Sequence, residues 1–521
     1  MKLDKIFVTL FVGLAMTACS NDEEMTTDGN QLPVDGKAAY MSLSLAMPKS
    51  SGTRAPGENH GTANEQKVNE LYLALFDAAD ICLETKTLSA TDYILNVGGA
   101  DVTGYNGKAF KVPSATAKVL AVVNPSDKFK AACAVSASWS VINSVVEQTV
   151  KEVIGAAKDN FMMINAGNNA SPADGALVAA NVKVVDGTTY ADATAAIAAA
   201  EGDRSVIHVD RVVAKVSLGV NASGVTVPAG VTCTFGNWAL NVTNKSMFPY
   251  SEIFMPAGGS SGADYRIDPN YALAGFNVLQ FNYLEIAADG SLPTDFSAMT
   301  DSKYCLENTM EANAQTQAQT TAAVVSAVYT PNSFTIGESW FRLLGVTYKT
   351  LADLQTVYTA AKSATTPDAA QQQVLDLCDQ FYARMSAAAT AQSKTIGADF
   401  AAITIAELDA ITNGGEYSKP AAGETVGVEY FQKGVCYYNI LIRHDDAITA
   451  TMAHGKYGIV RNNWYTLTIN SVKQPGTAWV PDKTDPTDPE NPGEDNDDEE
   501  AYLSVNITVN PWTTWSQGVD L

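Results

Sequence analysis

Near each end of this chain stands a run in which every second residue is apolar. Tyr40, Met41, Ser42, Leu43, Ser44, Leu45, Ala46, Met47 and Pro48 form the first; Tyr502, Leu503, Ser504, Val505, Asn506, Ile507, Thr508, Val509, Asn510 and Pro511 form the second. Successive side chains of an extended chain point to opposite faces, so a period of two predicts a strand with one buried face. Aligned on their tyrosines, the runs set apolar on apolar and small or polar on small or polar. Both therefore offer nearly the same row of side chains to an acceptor, Met41, Leu43, Leu45 and Met47 in one and Leu503, Val505, Ile507 and Val509 in the other. Their surroundings differ. The first precedes residues 49–66, rich in Ser, Gly, Thr, Asn and Pro, an exposed loop of the kind that proteases nick. Arg54 lies there, the first arginine of the chain, and the next is Arg204. The second run follows residues 481–500, where Pro481, Pro486, Pro489 and Pro492 alternate with acidic residues, a composition that solvates as an extended linker and builds no core.

Between these ends, 521 residues exceed what one ordinary core accommodates, and two domains are expected, over residues 55–220 and 221–480. Strand patterns fall at residues 68–76, 117–123, 206–218, 224–239, 278–286, 428–441 and 463–472. Helical spacing links Val141, Ile142, Val145, Val146, Val150, Val153 and Ile154, and returns at residues 190–201, 351–362 and 369–392. The fold class is thus mainly β with inserted helices.

The start of the chain reads as a targeting segment: Lys2 and Lys5 precede an apolar run, residues 6–15, too short to span a bilayer. Leu14, Ala15, Met16, Thr17, Ala18 and Cys19 resemble a bacterial lipobox, with residues 1–18 as signal peptide and the Cys19 sulfur receiving the lipid. Several acyl chains, palmitate among them, at about 0.8 kcal/mol per buried CH2, anchor such a precursor. Ser20, Asn21, Asp22, Glu23 and Glu24 resemble the acidic surface-export signal of Bacteroidetes lipoproteins. Six further cysteines, Cys82, Cys133, Cys233, Cys305, Cys378 and Cys436, are spaced too widely to define a framework, and no pairing is assigned.

Composition excludes several functions. The net charge is −24, with ten acidic residues inside residues 482–500, and no basic cluster offers phosphates a surface, so nucleic acid is not a partner. No HExxH, CxxC, Walker A or strand-to-helix GxGxxG sequence occurs. His444 and His454 flank a loop with Asp445 and Asp446, read as a polar loop rather than a metal site. Gly258, Ser260 and Gly262 match GxSxG formally, but no apolar strand leads into them. Neither catalysis nor a cofactor or metal is expected. The 21 tyrosines and seven tryptophans are read as core and edge residues, with a monomeric glycan-binding surface lipoprotein as the alternative from another class.

Together, two interchangeable strands, a cleavable loop and a linker describe strand complementation, in which an incomplete sheet is filled first by its own N-terminal strand and then by a second copy's C-terminal one. Burying four apolar side chains contributes roughly 6 to 12 kcal/mol before association costs. The lipobox cysteine, the two alternating runs, Arg54 with Ala55 and the acidic linker, taken with Val460, Arg461, Asn462, Asn463 and Tyr465, Ser471, Val472 and Lys473, and Pro511, Trp512 and residues 519–521, resemble those of the Bacteroidales fimbrillins, or type V pilins, especially the Mfa-type subunits of short fimbriae. That resemblance implies two transthyretin-like Greek-key β-sandwich domains and delivery to the outer membrane as a lipoprotein. It implies cleavage between Arg54 and Ala55 by an extracellular Arg-specific protease, which frees the lipidated propeptide of residues 19–54 with its displaceable strand at 40–47. It further implies assembly with other copies through the donor strand within residues 501–521, accessory tip and anchor subunits, and a role in adhesion and biofilm formation. A tip or anchor subunit of the same fimbria is the nearest rival reading.

Overall fold

A computed structural model describes residues 37–46, 61–481 and 503–511, apart from residues 90, 99–100, 145, 167–175, 188, 255–264, 274–278, 288–290, 412–413, 421–425 and 446–447. The strands that frame the functional question are, in chain order, β1 (Ala38–Met41), β2 (Leu43–Ala46), β3 (Asp101–Gly107), β4 (Phe110–Val112), β5 (Ser205–Arg211), β6 (Val213–Val220), β7 (Lys303–Leu306), β8 (Asn463–Val472) and β9 (Leu503–Pro511). Other strands are given by their ranges. The fold is mainly β with inserted helices.

The first core is built on a large sheet in which Cys82–Leu88, Leu71–Phe76, Lys118–Val123, Met163–Asn165, β5, β2, β3 and Tyr93–Gly98 lie side by side. Leu71–Phe76 and Lys118–Val123 are apolar on both faces and nearly all buried, as befits central strands. Beside this sheet, β1 runs between Lys183–Val185 and β4. The N-terminal run expected as one strand is therefore two. Ser42 interrupts it, buried, its Oγ donating to the carbonyl of Gly107 at 2.7 Å. The alternation survives the change of sheet: Ala39, Met41, Leu43 and Leu45 all enter the same core.

A second core lies between two sheets. One has the order β7, β6, β8, β9; the other places Thr232–Asn241, Ala322–Thr330 and Val435–Leu441 side by side. Val216, Leu218, Leu467 and Ile469 from the first meet Trp238, Val325, Tyr438 and Ile440 from the second. This is sheet-on-sheet packing, and it follows from strands whose alternate residues are apolar.

The helices at Leu351–Lys362 (α1) and Ala369–Ala391 (α2) form a third core over a small sheet that includes Trp340–Leu343 and Glu429–Phe431. Each begins at a reciprocal cap, Thr350 with Asp353 and Asp368 with Gln371, satisfying first-turn amides. Leu354, Tyr358, Leu377, Phe381 and Met385 pack beneath them with Phe341 and Tyr430, whose rings stack at 4.8 Å.

The structure departs locally from other expectations as well: of the strand expected over residues 278–286, only Phe281–Asn282 forms among the described residues. The strand predicted over residues 206–218 is two strands, β5 and β6, which serve different cores and part at Val212. Residues 428–441 likewise split at Lys433, which takes φ 54°. The helix read through residues 141–154 breaks into Trp139–Ile142 and Val150–Ile154. Between them Val146–Glu147 pairs with Ser246–Met247, and Thr149 caps a fresh helix through Glu152.

The six cysteines are all free thiols, five of them buried. Cys233 and Cys436 lie on the same sheet, opposite Tyr329 and Ala327 of the strand between them. Two strand spacings put their Cα atoms about 9 Å or more apart, beyond the reach of a disulfide.

Candidate functional site

The strand β2 occupies a slot. On one side it pairs in parallel with β5, Leu43 opposite Ser205 through Ala46 opposite His208. On the other it pairs antiparallel with β3, Ser44 opposite Asn106, Leu45 opposite Tyr105 and Ala46 opposite Gly104. Ala39, Met41 and Leu43 are 0% exposed and Leu45 is 1%. The wall is shaped for backbone: a Cβ on Gly104 would collide with the Leu45 carbonyl oxygen, so only glycine lets β3 approach this closely. Hydrogen bonds set the register. Ser44 Oγ donates to Asn106 Oδ1 at 2.8 Å, and the Ser205 amide donates to the Ser42 carbonyl at 2.9 Å.

The C-terminal run stands elsewhere. β9 lies antiparallel to β8 along its whole length, Leu503 opposite Val472 through Pro511 opposite Asn463. Among the described residues β8 is its single neighbour, so β9 is an edge strand. Its alternation reads as predicted: Leu503, Val505, Ile507 and Val509 turn to the second core, while Ser504, Asn506 and Thr508 are exposed. Burial is incomplete, however. Ile507 retains 9% exposure and the other three are only half-buried.

Between the slot and this sheet lies a joint made of buried charges. Its centre is the run Val460, Arg461, Asn462 and Asn463. Arg461 directs Nε to Glu307 at 3.2 Å, Nη1 to the Pro249 carbonyl at 2.8 Å and Nη2 to the Phe248 carbonyl at 2.8 Å. Asn462 takes φ 58°, a left-handed conformation that asparagine tolerates better than most residues. There its side-chain amide donates to Asp210 at 2.8 Å and its oxygen accepts the Arg211 amide at 3.3 Å. Asp210 also receives Arg266 at 3.0 Å. A second contact comes from the N-terminal side. Glu65, in the short 3-10 helix Ala63–Gln66, pairs with Lys215 of β6 at 2.8 Å and accepts the Tyr304 hydroxyl of β7 at 2.5 Å. Burial works against the charge of Glu65, yet the hydrogen bonds from Lys215 and Tyr304 hold it below the ordinary carboxylate range. Burial lowers Arg211 to about 10.

Asp268 behaves oppositely. Burial pushes its carboxyl up to about 7, despite donation from the Thr309 amide and hydroxyl and from the Asn270 amide. A folded value raised above the ordinary 3.8 makes a contribution that is full below pH 3.8 and is lost as pH rises through about 7. Stability measured by denaturant unfolding should therefore fall between about pH 4 and about pH 7, by on the order of 1 kcal/mol or more. In D268N that segment of the pH profile should flatten; an unchanged slope would exclude Asp268 as its source.

Of the residues singled out in the sequence, Leu43 and Leu45 sit in the slot on β2, Met41 enters the same core from β1, and Leu503, Val505, Ile507 and Val509 line the inner face of β9. Cys19, Met47, Arg54, Ala55 and the linker over residues 482–500 lie outside the described residues. His444 and His454 belong to aromatic packing: His444 Nδ1 meets the Tyr465 hydroxyl at 2.8 Å, and His454 meets that of Tyr271 at 2.7 Å and lies against Phe254. Among the described residues no three His, Cys, Asp or Glu side chains gather as a metal site would require. The reach of Glu65 was not foreseen. Thr62 and Glu65 carry the spacing of a capping box, but that signal announces a helix start and not a buried ion pair.

Residues 429–518, which include β8 and β9, match the family described as major fimbrial subunit protein type IV, fimbrillin, C-terminal. No curated protein matches the chain. Among solved structures, a candidate cell adhesion protein of Parabacteroides distasonis is similar at 12% identity and TM-score 0.41, over 92% of this chain and 99% of that one. The C-terminally truncated tip fimbrial protein Mfa3 of Porphyromonas gingivalis is similar at 9% identity and TM-score 0.34, over 91% and 100%. A fimbrial assembly protein of Parabacteroides distasonis is similar at 13% identity and TM-score 0.29, over 55% and 81%. The likeness to the fimbrillins thus rests on residues 429–518, where the buried Arg461 and Asn462 meet the paired strands β8 and β9.

Proposed function

We propose that this chain is the stalk subunit of a cell-surface fimbria. It is exported as a lipoprotein on Cys19, cut between Arg54 and Ala55, and polymerised when the strand Leu503–Pro511 of a second copy enters the slot that β2 vacates. One observation carries this reading. β2 and β1 complete a core that the rest of the chain leaves open, burying Ala39, Met41, Leu43 and Leu45 almost fully, yet they precede the loop with Arg54. Their removal would open a groove shaped for alternating apolar side chains. β9 supplies the same alternation from a site where it holds one ladder and partial burial. Transfer to the slot would give it two ladders and full burial, a gradient in the direction of assembly. No chemistry is asked of the chain, and its partners are other copies together with accessory tip and anchor subunits.

The test starts from purified residues 20–521, cut after Arg54 and examined for ladders of denaturant-resistant oligomers. Such ladders are expected, and a chain ending at Glu500 should be cut yet remain monomeric. Monomers alone, with the cut verified, would overturn the reading.

A further inference from the structure

Glu65 lies eleven residues past Arg54, so it stays with the mature chain when residues 1–54 depart. Its placement is unusual for a residue so near a loop. It is 1% exposed, and three elements converge on it. Arg211, the last residue of the slot wall β5, directs Nε to the Glu65 carbonyl oxygen at 3.2 Å. Lys215 of β6 meets its carboxylate at 2.8 Å, and Tyr304 of β7 donates to the same oxygen at 2.5 Å. Lys215 in turn lies 3.6 Å above the ring of Trp464 on β8, the strand against which β9 rests. The amide of Thr62 donates to the second carboxylate oxygen at 2.6 Å, which fixes the rotamer.

Two of these contacts grip the end of β5 and the strand that continues it. β5 faces β2 on one side and Met163–Asn165 on the other. When β2 is present, the parallel ladder from Leu43 to Ala46 supports β5 directly. When β2 has gone, that edge is bare and the apolar side chains that lined the slot face water. Collapse or fraying of β5 is then the competing outcome. At its far end the wall keeps the ladder to Met163–Asn165 and the contacts of Asn462 and Arg266 with Asp210 and Arg211, and Glu65 adds the tie from Arg211 through Lys215 and Tyr304 to β6 and β7.

We infer that Glu65 is a positioning residue for strand exchange, pinning the β5 wall to the neighbouring sheet so that the emptied slot keeps the shape that an incoming strand fits, a role that rests on the proposed exchange. Its task differs between two states of one molecule. In the uncut chain β2 and Glu65 both support β5, and in the cut chain Glu65 acts without β2. A residue with a merely structural role would weaken both states alike.

The experiment compares wild type with E65Q, before and after cleavage at Arg54 and removal of the freed segment. Hydrogen exchange reads the amides of residues 205–211, and a labelled synthetic peptide of residues 501–521 reads occupation of the slot. Uncut E65Q should protect those amides nearly as wild type does. Cut E65Q should lose their protection and bind the peptide about tenfold more weakly or worse, in line with the loss of a buried charged partner. Equal peptide binding and equal protection in the two cut proteins would overturn the role of Glu65 while leaving strand exchange standing. Failure of cut wild type to take up the peptide would overturn the exchange itself. Should E65Q not fold, K215M breaks the same link from β6 and is read in the same way.

Discussion

Leu43→Asp will cost the uncut chain about 4 kcal/mol or more, whereas Ile507→Asp, the same chemistry on the inner face of the other alternating run, will cost it about 1 to 3 kcal/mol. Leu43 is 0% exposed in β2, with β5 on one side and β3 on the other, and its side chain stands in the first core among Leu73, Val122 and Val209. An aspartate there loses the apolar burial and has no route to water, so it must either take up a proton or expel the strand. Ile507 sits on the edge strand β9, where a charge can turn outward by loosening one ladder. Domain stabilities of about 5 to 15 kcal/mol make the first loss a large share of the total. Urea unfolding of the two variants checks the difference. A Leu43→Asp protein within about 1 kcal/mol of wild type would mean that β2 is not an integral part of the core.

The second large effect belongs to Arg461→Ala, expected to cost about 3 to 5 kcal/mol because it strands a buried carboxylate. Glu307 is 1% exposed and accepts both the amide and the guanidinium of Arg461, at 3.2 Å each. The Pro249 and Phe248 carbonyls lose their donors in the same step. Pairing the change with Glu307→Leu removes the orphaned charge, so the double variant should be less destabilised than the single one. If the two changes instead add, the coupling assigned to this pair is absent.

How far the sequence could be read depended on whether a residue's neighbours were close in the chain. Alternation in residues 40–47 and 503–509 gave both strands and the faces they bury, because period two is a local property. The helices α1 and α2 announced themselves through spacing, whereas their caps at Thr350 and Asp368 emerged only in the structure. The change of sheet at Ser42 was invisible, since the alternation runs straight through it. The division of residues 206–218 into β5 and β6 was hidden for the same reason: both halves alternate, and only the tertiary fold sends them to different cores. Arg461 and Asn462 were recognised as marks of a family without their task being apparent. Their partners, Glu307 and Asp210, lie 154 and 252 residues away. No local pattern reports an ion pair across that distance. Arg54, Cys19 and the acidic linker remain readings of the sequence.

The slot also bears on how such a subunit would carry tension. In a filament joined by strand insertion, a pull along the fibre axis acts along the inserted strand. A strand taking the place of β2 would be held by a parallel ladder to β5 and an antiparallel ladder to β3, so sliding it out would shear both sets of bonds at once. An edge strand such as β9 on β8 can peel away one pair at a time. With free thiols in place of disulfide crosslinks among the described residues, the tensile strength of each junction would rest on this difference between shearing and peeling.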